Sequence, residues 1–172
     1  MKKLCLLLII CSISALSANA EENSASEIKT DSNEINQILH DKRVGDDFIP
    51  ISKSKDEPVD SYSFLVRNSI TLHPYNKNIR VFTEIINAIP NQTKEVKEDE
   101  KKVSYKSLVV NQFANCDKME LAKGEIKIYD GYFGEGQLLD TSNMPNRWFK
   151  IDKRDEQRSL IVVACSLPLA NQ

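Results

Sequence analysis

Residues 103–133 read VSYKSLVVNQFANCDKMELAKGEIKIYDGYF and carry the strongest structural signal in the chain. In the first half of this stretch, apolar side chains recur on one face with the period of two that is typical of a β-strand: these are Val103, Tyr105, Val109 and Phe113. In the second half, Ile126 and Ile128 alternate with charged neighbours in the same way. The stretch therefore predicts two long strands of an antiparallel sheet.

Segments rich in β-forming residues flank this stretch on both sides. Further strands are predicted at residues 62–66, 69–73, 79–89 and 146–151. We expect Pro90 to end the strand at 79–89, because proline cannot donate to a ladder of backbone hydrogen bonds. The charged run 94–102 is predicted to be a hairpin tip, and the glycines at 131, 134 and 136 a turn.

The C-terminal region predicts a helix over residues 158–165. Asp152 is its expected cap, and Asp155 and Glu156 would favour the helix dipole from the first turn. The apolar run within it, 160–163, also suits a strand, so both interpretations stay open at this point. With the helix, the fold class is α+β, an antiparallel β-sheet with a C-terminal helix tied to it.

The N-terminus has the three-part layout of a secretory signal peptide over residues 1–20. Two lysines precede an apolar run that is too short to span a bilayer, and small residues lead to Ala18-Asn19-Ala20. Lipidation at Cys11 is the alternative to cleavage after Ala20. Residues 21–60 are polar and interrupted by glycine and proline, so we predict a flexible leader with one transient helix near 33–42, followed by a domain at 61–172.

Cleavage would leave two of the four cysteines, Cys116 and Cys165. An even pair in an exported chain predicts one disulfide. It would close a loop of about fifty residues, which the chain-entropy model values at roughly 4 kcal/mol. The alternatives are a metal pair or a reactive thiol, but neither cysteine has a second ligand at metal spacing.

Composition and motifs argue against several classes of function. The formal net charge is −2, and it becomes −4 when residues 1–20 and their two lysines are removed, which disfavours nucleic acid as a partner. His40 and His73 are the only histidines and stand far apart, and no G-x-S-x-G, S-x-x-K or Cys–His arrangement is present. Gly134-Glu135-Gly136 lacks the helix and lysine of a phosphate loop. We therefore predict a non-catalytic protein with no metal and no cofactor.

Binding is the remaining class, and lysines and aromatics surround the central strands. The predicted binding residues are Lys101, Lys102, Lys106, Lys118, Lys123, Lys127, Tyr132 and Trp148. Cations beside aromatic rings suit an acidic or polyanionic segment of a partner. The alternative is that the lysines protect strand edges from aggregation and that the aromatics belong to the core.

Four pieces of the sequence together resemble the surface-adhesin protein E family of Gram-negative bacteria. They are SLVVNQFANC (107–116), KIYDGYFGEG (127–136), Trp148 and VVAC (162–165). The resemblance spans residues 61–168. It implies an antiparallel sheet stapled to a C-terminal helix, with Cys116 and Cys165 in the family's disulfide positions.

The resemblance also implies a function, namely display at the cell surface, a role in virulence and binding of host extracellular-matrix proteins of the laminin and vitronectin class. It implies homodimers in some members. The signal looks like one for ordinary cleavage, whereas some relatives are lipoproteins, and the leader is long and polar. A periplasmic structural or accessory module of an envelope assembly is therefore the alternative function.

Overall fold

The computed structural model describes residues 32–56, 59–96, 101–144 and 147–170. The predicted signal peptide at 1–20, with Cys5 and Cys11, and the predicted leader up to residue 31 lie outside the described residues. Across the described ranges, no helix combines the length and apolar character that a bilayer span requires.

The described part of the chain forms one antiparallel sheet of eight strands with two α-helices. The strands are β1 (Phe48–Asp56), β2 (Val59–Val66), β3 (Thr71–His73), β4 (Asn76–Val96), β5 (Lys101–Asn115), β6 (Glu120–Tyr129), β7 (Leu138–Asn143) and β8 (Phe149–Lys150). Helix α1 spans residues 32–39 and α2 spans Arg158–Ser166. The strand order is β1-β2-β4-β5-β6-β7, with β3 paired to β4 and β8 to β6.

The two faces of the sheet carry separate hydrophobic cores, because side chains of a strand alternate between faces. On the face that α2 covers, the core includes Leu65, Phe82, Ala114 and Leu121 together with Leu160, Ile161 and Ala164 of the helix. On the face that α1 covers, the core includes Phe64, Ile85 and Phe133 together with Ile38 of the helix. We call these the α2 face and the α1 face.

Helix α2 is fastened to the sheet by a disulfide and by an arginine. Cys116 follows β5 directly and bonds to Cys165 in the last turn of α2, with 5.8 Å between the Cα atoms. Arg80 of β4 donates from Nη1 to the carbonyl oxygens of Ala164 at 2.8 Å and Leu167 at 2.5 Å, at the C-terminal end of the helix. The predicted disulfide, helix and α+β class are confirmed.

The predicted flexible leader over residues 21–60 does not hold for residues 32–56. Helix α1 buries Ile38 completely, and β1 pairs with β2 along the edge of the sheet. This segment has too few apolar residues to fold by itself. A helix with a single apolar stripe is nevertheless stable when that stripe packs against the face of a sheet. The folded part of the chain therefore begins before residue 60.

Three predicted details of the strands are corrected. Pro90 does not end β4, since the β4–β5 register shifts between Asn87 and Gln92 and proline sits where the ladder is interrupted. The predicted tip at 94–102 is shorter, because β4 continues to Val96 and β5 begins at Lys101; residues 97–100 are not described. Strand β7 was not predicted, and β8 is shorter than 146–151.

The predicted cap of α2 is also wrong. The helix begins at Arg158 after Gln157, and its first turn contains no acidic residue. The backbone carbonyl of Asp152 instead accepts from the Asp155 N–H at 3.2 Å, and the Asp155 carboxylate accepts from the Gln157 N–H at 3.0 Å. The acidic residues therefore form the turn that leads into the helix.

Candidate functional site

The predicted binding residues lie in several separate places. Lys102 is exposed near the start of β5, whereas Lys118 is exposed in the turn after the end of that strand, on the order of 45 Å away along the strand. The side chain of Lys101 lies outside the described residues. Trp148 is 39% exposed in the segment that leads into β8. Lys102 and Lys118 therefore do not share one surface.

Lys123 and Lys127 belong to the same strand but to opposite faces. Lys123 lies opposite Gln112 on the α2 face, and Lys127 lies opposite Val109 on the α1 face. Lys127 Nζ pairs with the Glu125 carboxylate at 2.8 Å, and this hydrogen bond raises the pKa of Lys127. The two lysines therefore cannot both contact one partner that binds to a single face of the sheet.

Lys106 and Tyr132 are the two predicted residues that the fold brings into contact. Lys106 Nζ lies 4.9 Å from the centre of the Tyr132 ring. Both line a cleft of about 280 Å³ beside the glycine turn, which we call the glycine-turn cleft. It is lined by Gln37, Asp41, Arg43, Lys106, Gly131, Tyr132, Phe133, Glu135 and Gly136.

Buried polar side chains of β4 and β5 hold the turn that forms one wall of this cleft. Asn87 and Ser107 lie opposite each other and are fully buried. Asn87 Oδ1 accepts from the Phe133 N–H at 2.8 Å. Ser107 Oγ donates to the Gly131 carbonyl at 2.6 Å and accepts from the Gly134 N–H at 3.0 Å. The sheet thereby sets the position of the turn residue by residue.

Phe133 occupies the left-handed region of backbone conformation, with φ of 58°, which is costly for a bulky side chain. Its ring compensates by packing: it stacks on Phe48 with centroids 5.0 Å apart and meets Phe64 at 5.3 Å. The Arg43 guanidinium carbon lies 4.9 Å from the Phe48 ring centre and 5.2 Å from that of Phe133. An arginine on two aromatic rings closes this side of the cleft.

Arg43 also holds an ion-pair network. It donates from Nε and Nη2 to the two carboxylate oxygens of Asp41, each at 2.8 Å, and its Nη1 pairs with Glu135. The side-chain hydrogen bond from Arg43 lowers the pKa of Asp41 and keeps it ionised. Arg43 therefore links the chain after α1 to the glycine turn.

The two cations of the cleft, Arg43 and Lys106, already face three carboxylates of the protein: Asp41, Glu135 and Glu34. Lys106 Nζ is 3.7 Å from the Glu34 carboxylate of α1, so both cations of the cleft have internal carboxylate partners. An acidic ligand would have to replace Glu34 at Lys106, or Glu135 at Arg43; Glu135 is 62% exposed. The cleft can thus exchange an internal carboxylate for one on a partner.

Sequence reasoning missed Gln37, Asp41 and Arg43, because they fall in the predicted leader. The spacing of Asp41 and Arg43 is common on protein surfaces and carries no signal of its own. No group of three or more metal-ligating side chains occurs within residues 32–56, 59–96, 101–144 and 147–170.

A model of the surface-adhesin protein E family matches residues 48–166. The chain belongs to the surface-adhesin protein E family. The match begins with β1 and ends in the last turn of α2, so it contains the whole sheet and the disulfide but not α1. Membership places the chain among surface adhesins, a class that generally acts by binding rather than by catalysis.

The fold is similar to solved structures of protein E from Haemophilus influenzae. One has a TM-score of 0.55 at 15% identity, covering 72% of this chain and 86% of that chain. A second crystal form has a TM-score of 0.54 at 16% identity, covering 72% and 90%. Protein E from a non-typeable strain has a TM-score of 0.52 at 15% identity, covering 73% and 80%. A search of curated proteins finds no match.

Proposed function

We propose that the exported chain is displayed at the surface of a Gram-negative bacterium and adheres to host extracellular-matrix proteins of the laminin and vitronectin class. The observation that carries the proposal is the family match over residues 48–166. The disulfide supports it, since such bridges persist in oxidising extracytoplasmic compartments.

Within this proposal, the glycine-turn cleft and Trp148 are the favoured contacts among the predicted residues. The cleft offers a lysine on an aromatic ring and an exchangeable ion pair at Glu135. Trp148 offers an exposed aromatic surface of the kind enriched at binding hot spots. The exposed lysines at 102 and 118 would contribute at the rim, by steering an acidic partner.

The first experiment is protease digestion of the native protein on intact cells, with a periplasmic protein as the control. Digestion of the adhesin while the marker survives supports surface display. Protection of both until the outer membrane is opened overturns surface display and supports the periplasmic accessory role.

The second experiment measures solid-phase binding of residues 21–172 to laminin, vitronectin and fibronectin. Lys106→Ala and Trp148→Ala should each weaken binding several-fold, whereas Lys153→Ala, an exposed lysine in a turn, should bind like the parent. Melting temperatures of the variants separate lost contacts from lost folding. Absence of binding by the parent overturns adhesion to these three proteins.

A further inference from the structure

Among the residues that the structure describes, helix α1 and the glycine turn cover only one end of the α1 face. There, the glycine turn lies so close to the sheet that a Cβ on Gly134 would be 2.5 Å from Val109 Cγ2. Further along the same face, two rows of residues that pair across β4 and β5 are half-exposed. These rows are Val81–Phe113 and Thr83–Asn111. The second half of this sheet face is therefore accessible.

An aromatic series lies along this accessible half. Tyr75, at the tip of the β3–β4 hairpin, is 93% exposed. Its ring meets His73 edge-on at 5.9 Å, and His73 meets Phe113 edge-on at 6.0 Å. The Tyr75 N–H donates to His73 Nδ1 at 3.3 Å, which ties the exposed tyrosine back to the sheet.

The Phe113 ring is positioned by a glycine on the neighbouring strand. A Cβ on Gly124 would come within 2.7 Å of Phe113 Cε2, so the ring lies over the bare backbone at this position. The ring is half-exposed, and it meets the His73 ring edge-on. The fold thus presents an aromatic surface that is held in place from below.

Three uncharged polar side chains lie beside these rings. Within the described ranges, the side chains of Thr71, Thr83 and Asn111 make no hydrogen bond to the protein and are half-exposed. Two pairs of opposite charge lie beside them on this face: Glu125 and Lys127 are 2.8 Å apart, and Glu120 lies opposite Lys150 in the β6–β8 ladder. The surface therefore offers hydroxyl and amide donors and acceptors beside charges of both signs.

We propose that this surface, which we call the open face, binds a neutral carbohydrate chain. It comprises Thr71, His73, Tyr75, Thr83, Asn111 and Phe113. From β3 to β5 it spans two strand spacings, about 10 Å, which is long enough for more than one sugar unit. The open face is distinct from the glycine-turn cleft and needs no cation.

The chemistry of a sugar matches this surface on two counts. A sugar ring has an apolar C–H face that packs on the negative face of an aromatic ring. Its hydroxyls both donate and accept, as threonine hydroxyls and asparagine amides do. Sheet faces with such residues bind oligosaccharides in other small β proteins. A polyanion would instead require unpaired cations on the sheet face, and Lys127 there is already paired with Glu125.

The test applies residues 21–172 to an array of neutral mammalian glycans that includes N-acetyllactosamine and high-mannose chains, with heparin as the polyanionic probe. We expect saturable binding to a neutral glycan, weakened about tenfold or more by Tyr75→Ala and by Asn111→Ala. Lys77→Ala, in the same hairpin, is the matched control and should bind like the parent. Tyr75→Ala should keep its melting temperature because the side chain is almost fully exposed.

Binding to heparin alone, or neutral-glycan binding that survives both Tyr75→Ala and Asn111→Ala, overturns the inference, as does an array without signal. A parallel assay on laminin before and after enzymatic removal of its glycans separates this inference from the proposed adhesion. Equal binding to both forms of laminin keeps adhesion and counts against the open face as a glycan site. Array binding without any laminin binding keeps the glycan site and removes adhesion to laminin.

Discussion

Arg43 connects three parts of the molecule through one side chain. It packs on Phe48 and Phe133, bonds to Asp41 in a bidentate manner and pairs with Glu135. Because these contacts are only partly exposed to solvent, they should contribute more than an ordinary surface ion pair. Arginine suits this role, since a lysine could not reproduce the planar fork or the stacking.

Arg43→Ala should lower the free energy of unfolding by about 1–2 kcal/mol, since it removes both the stacking and the ion pairs. Arg154→Ala, an exposed arginine in a turn, is the control and should change it by less than about 0.5 kcal/mol. Urea denaturation at pH 7 measures the free energy of unfolding of both variants and of the parent. Equal stability of the two variants would contradict the role given to Arg43.

The same network predicts a pH dependence. The pKa of Asp41 is lowered in the folded state from 3.8, so its contribution is present above about pH 4 and is lost as the pH falls through the lowered value. The stability difference between the parent and Asp41→Asn should therefore shrink as the pH falls from about 4 towards 2. A difference that stays constant over this range would show that the Asp41 charge does not contribute.

Gly45 and Gly134 both have positive φ but differ in what surrounds them. Substituting each with alanine therefore separates the cost of the backbone conformation from the cost of a steric clash. Gly45 has φ of +97° and nothing within 4 Å of a Cβ, whereas Gly134 has φ of +73° and Val109 Cγ2 at 2.5 Å. Gly45→Ala should cost about 1–2 kcal/mol from the backbone alone. Gly134→Ala should cost at least about 1 kcal/mol more, because the methyl group also meets Val109. Thermal unfolding of both variants measures the difference.

At the scale of an element, α1 owes its stability to the sheet. A helix of residues 32–39 is too short to persist in water by itself. It is held because Ile38 is buried in the core that contains Phe64 and Phe133, and because Glu34 reaches Lys106. The family match begins at residue 48, after α1. A segment outside the match therefore covers one of the two cores of the sheet.

Ile38→Ala should therefore lower the free energy of unfolding by about 2–4 kcal/mol, in the range measured for buried isoleucine truncations. The next residue supplies the control, since Leu39 is 46% exposed and Leu39→Ala should cost less than about 1 kcal/mol. Chemical denaturation compares them directly. Equal losses would mean that α1 does not pack as described.

At the scale of the whole molecule, the disulfide joins two layers. The Cys116–Cys165 bond closes 49 residues between the end of β5 and the end of α2. The chain-entropy model values such a loop at roughly 4 kcal/mol, and removal of native bridges usually costs about 2–5 kcal/mol. The bridge should therefore decide whether α2 stays on its face when the protein is heated.

Replacing both Cys116 and Cys165 with serine should cost several kcal/mol and lower the melting temperature by more than ten degrees, on the order expected for a domain of this size. Addition of reductant should lower the melting temperature of the parent and leave the double variant unchanged. A parent that melts at the same temperature with and without reductant would contradict a stabilising bridge.

Most of the sheet could be predicted because strands β2, β4, β5 and β6 carry their own alternating pattern. Strands β1 and β7 could not, since they lie at the edges and one partner strand supplies most of what orders them. Of the glycine-turn cleft, Lys106 and Tyr132 were predicted because they neighbour the central strands. Asp41 and Arg43 were missed, because the contacts of Arg43 with Phe48, Phe133 and Glu135 exist only after the chain has folded.

The sequence by itself was sufficient for the central strands, the cysteine pair and the family resemblance, because periodicity and spacing are properties of the linear chain. The residue pattern left both helix and strand open at residues 160–163, and the resemblance favoured the helix and with it the α+β class. Only the tertiary structure decided which lysines meet an aromatic ring, which sheet face each residue occupies and where the leader ends. The physical reason is that register and burial depend on contacts between residues far apart in sequence: one bulge between Val110 and Gln112 is enough to place Lys123 and Lys127 on opposite faces of one strand.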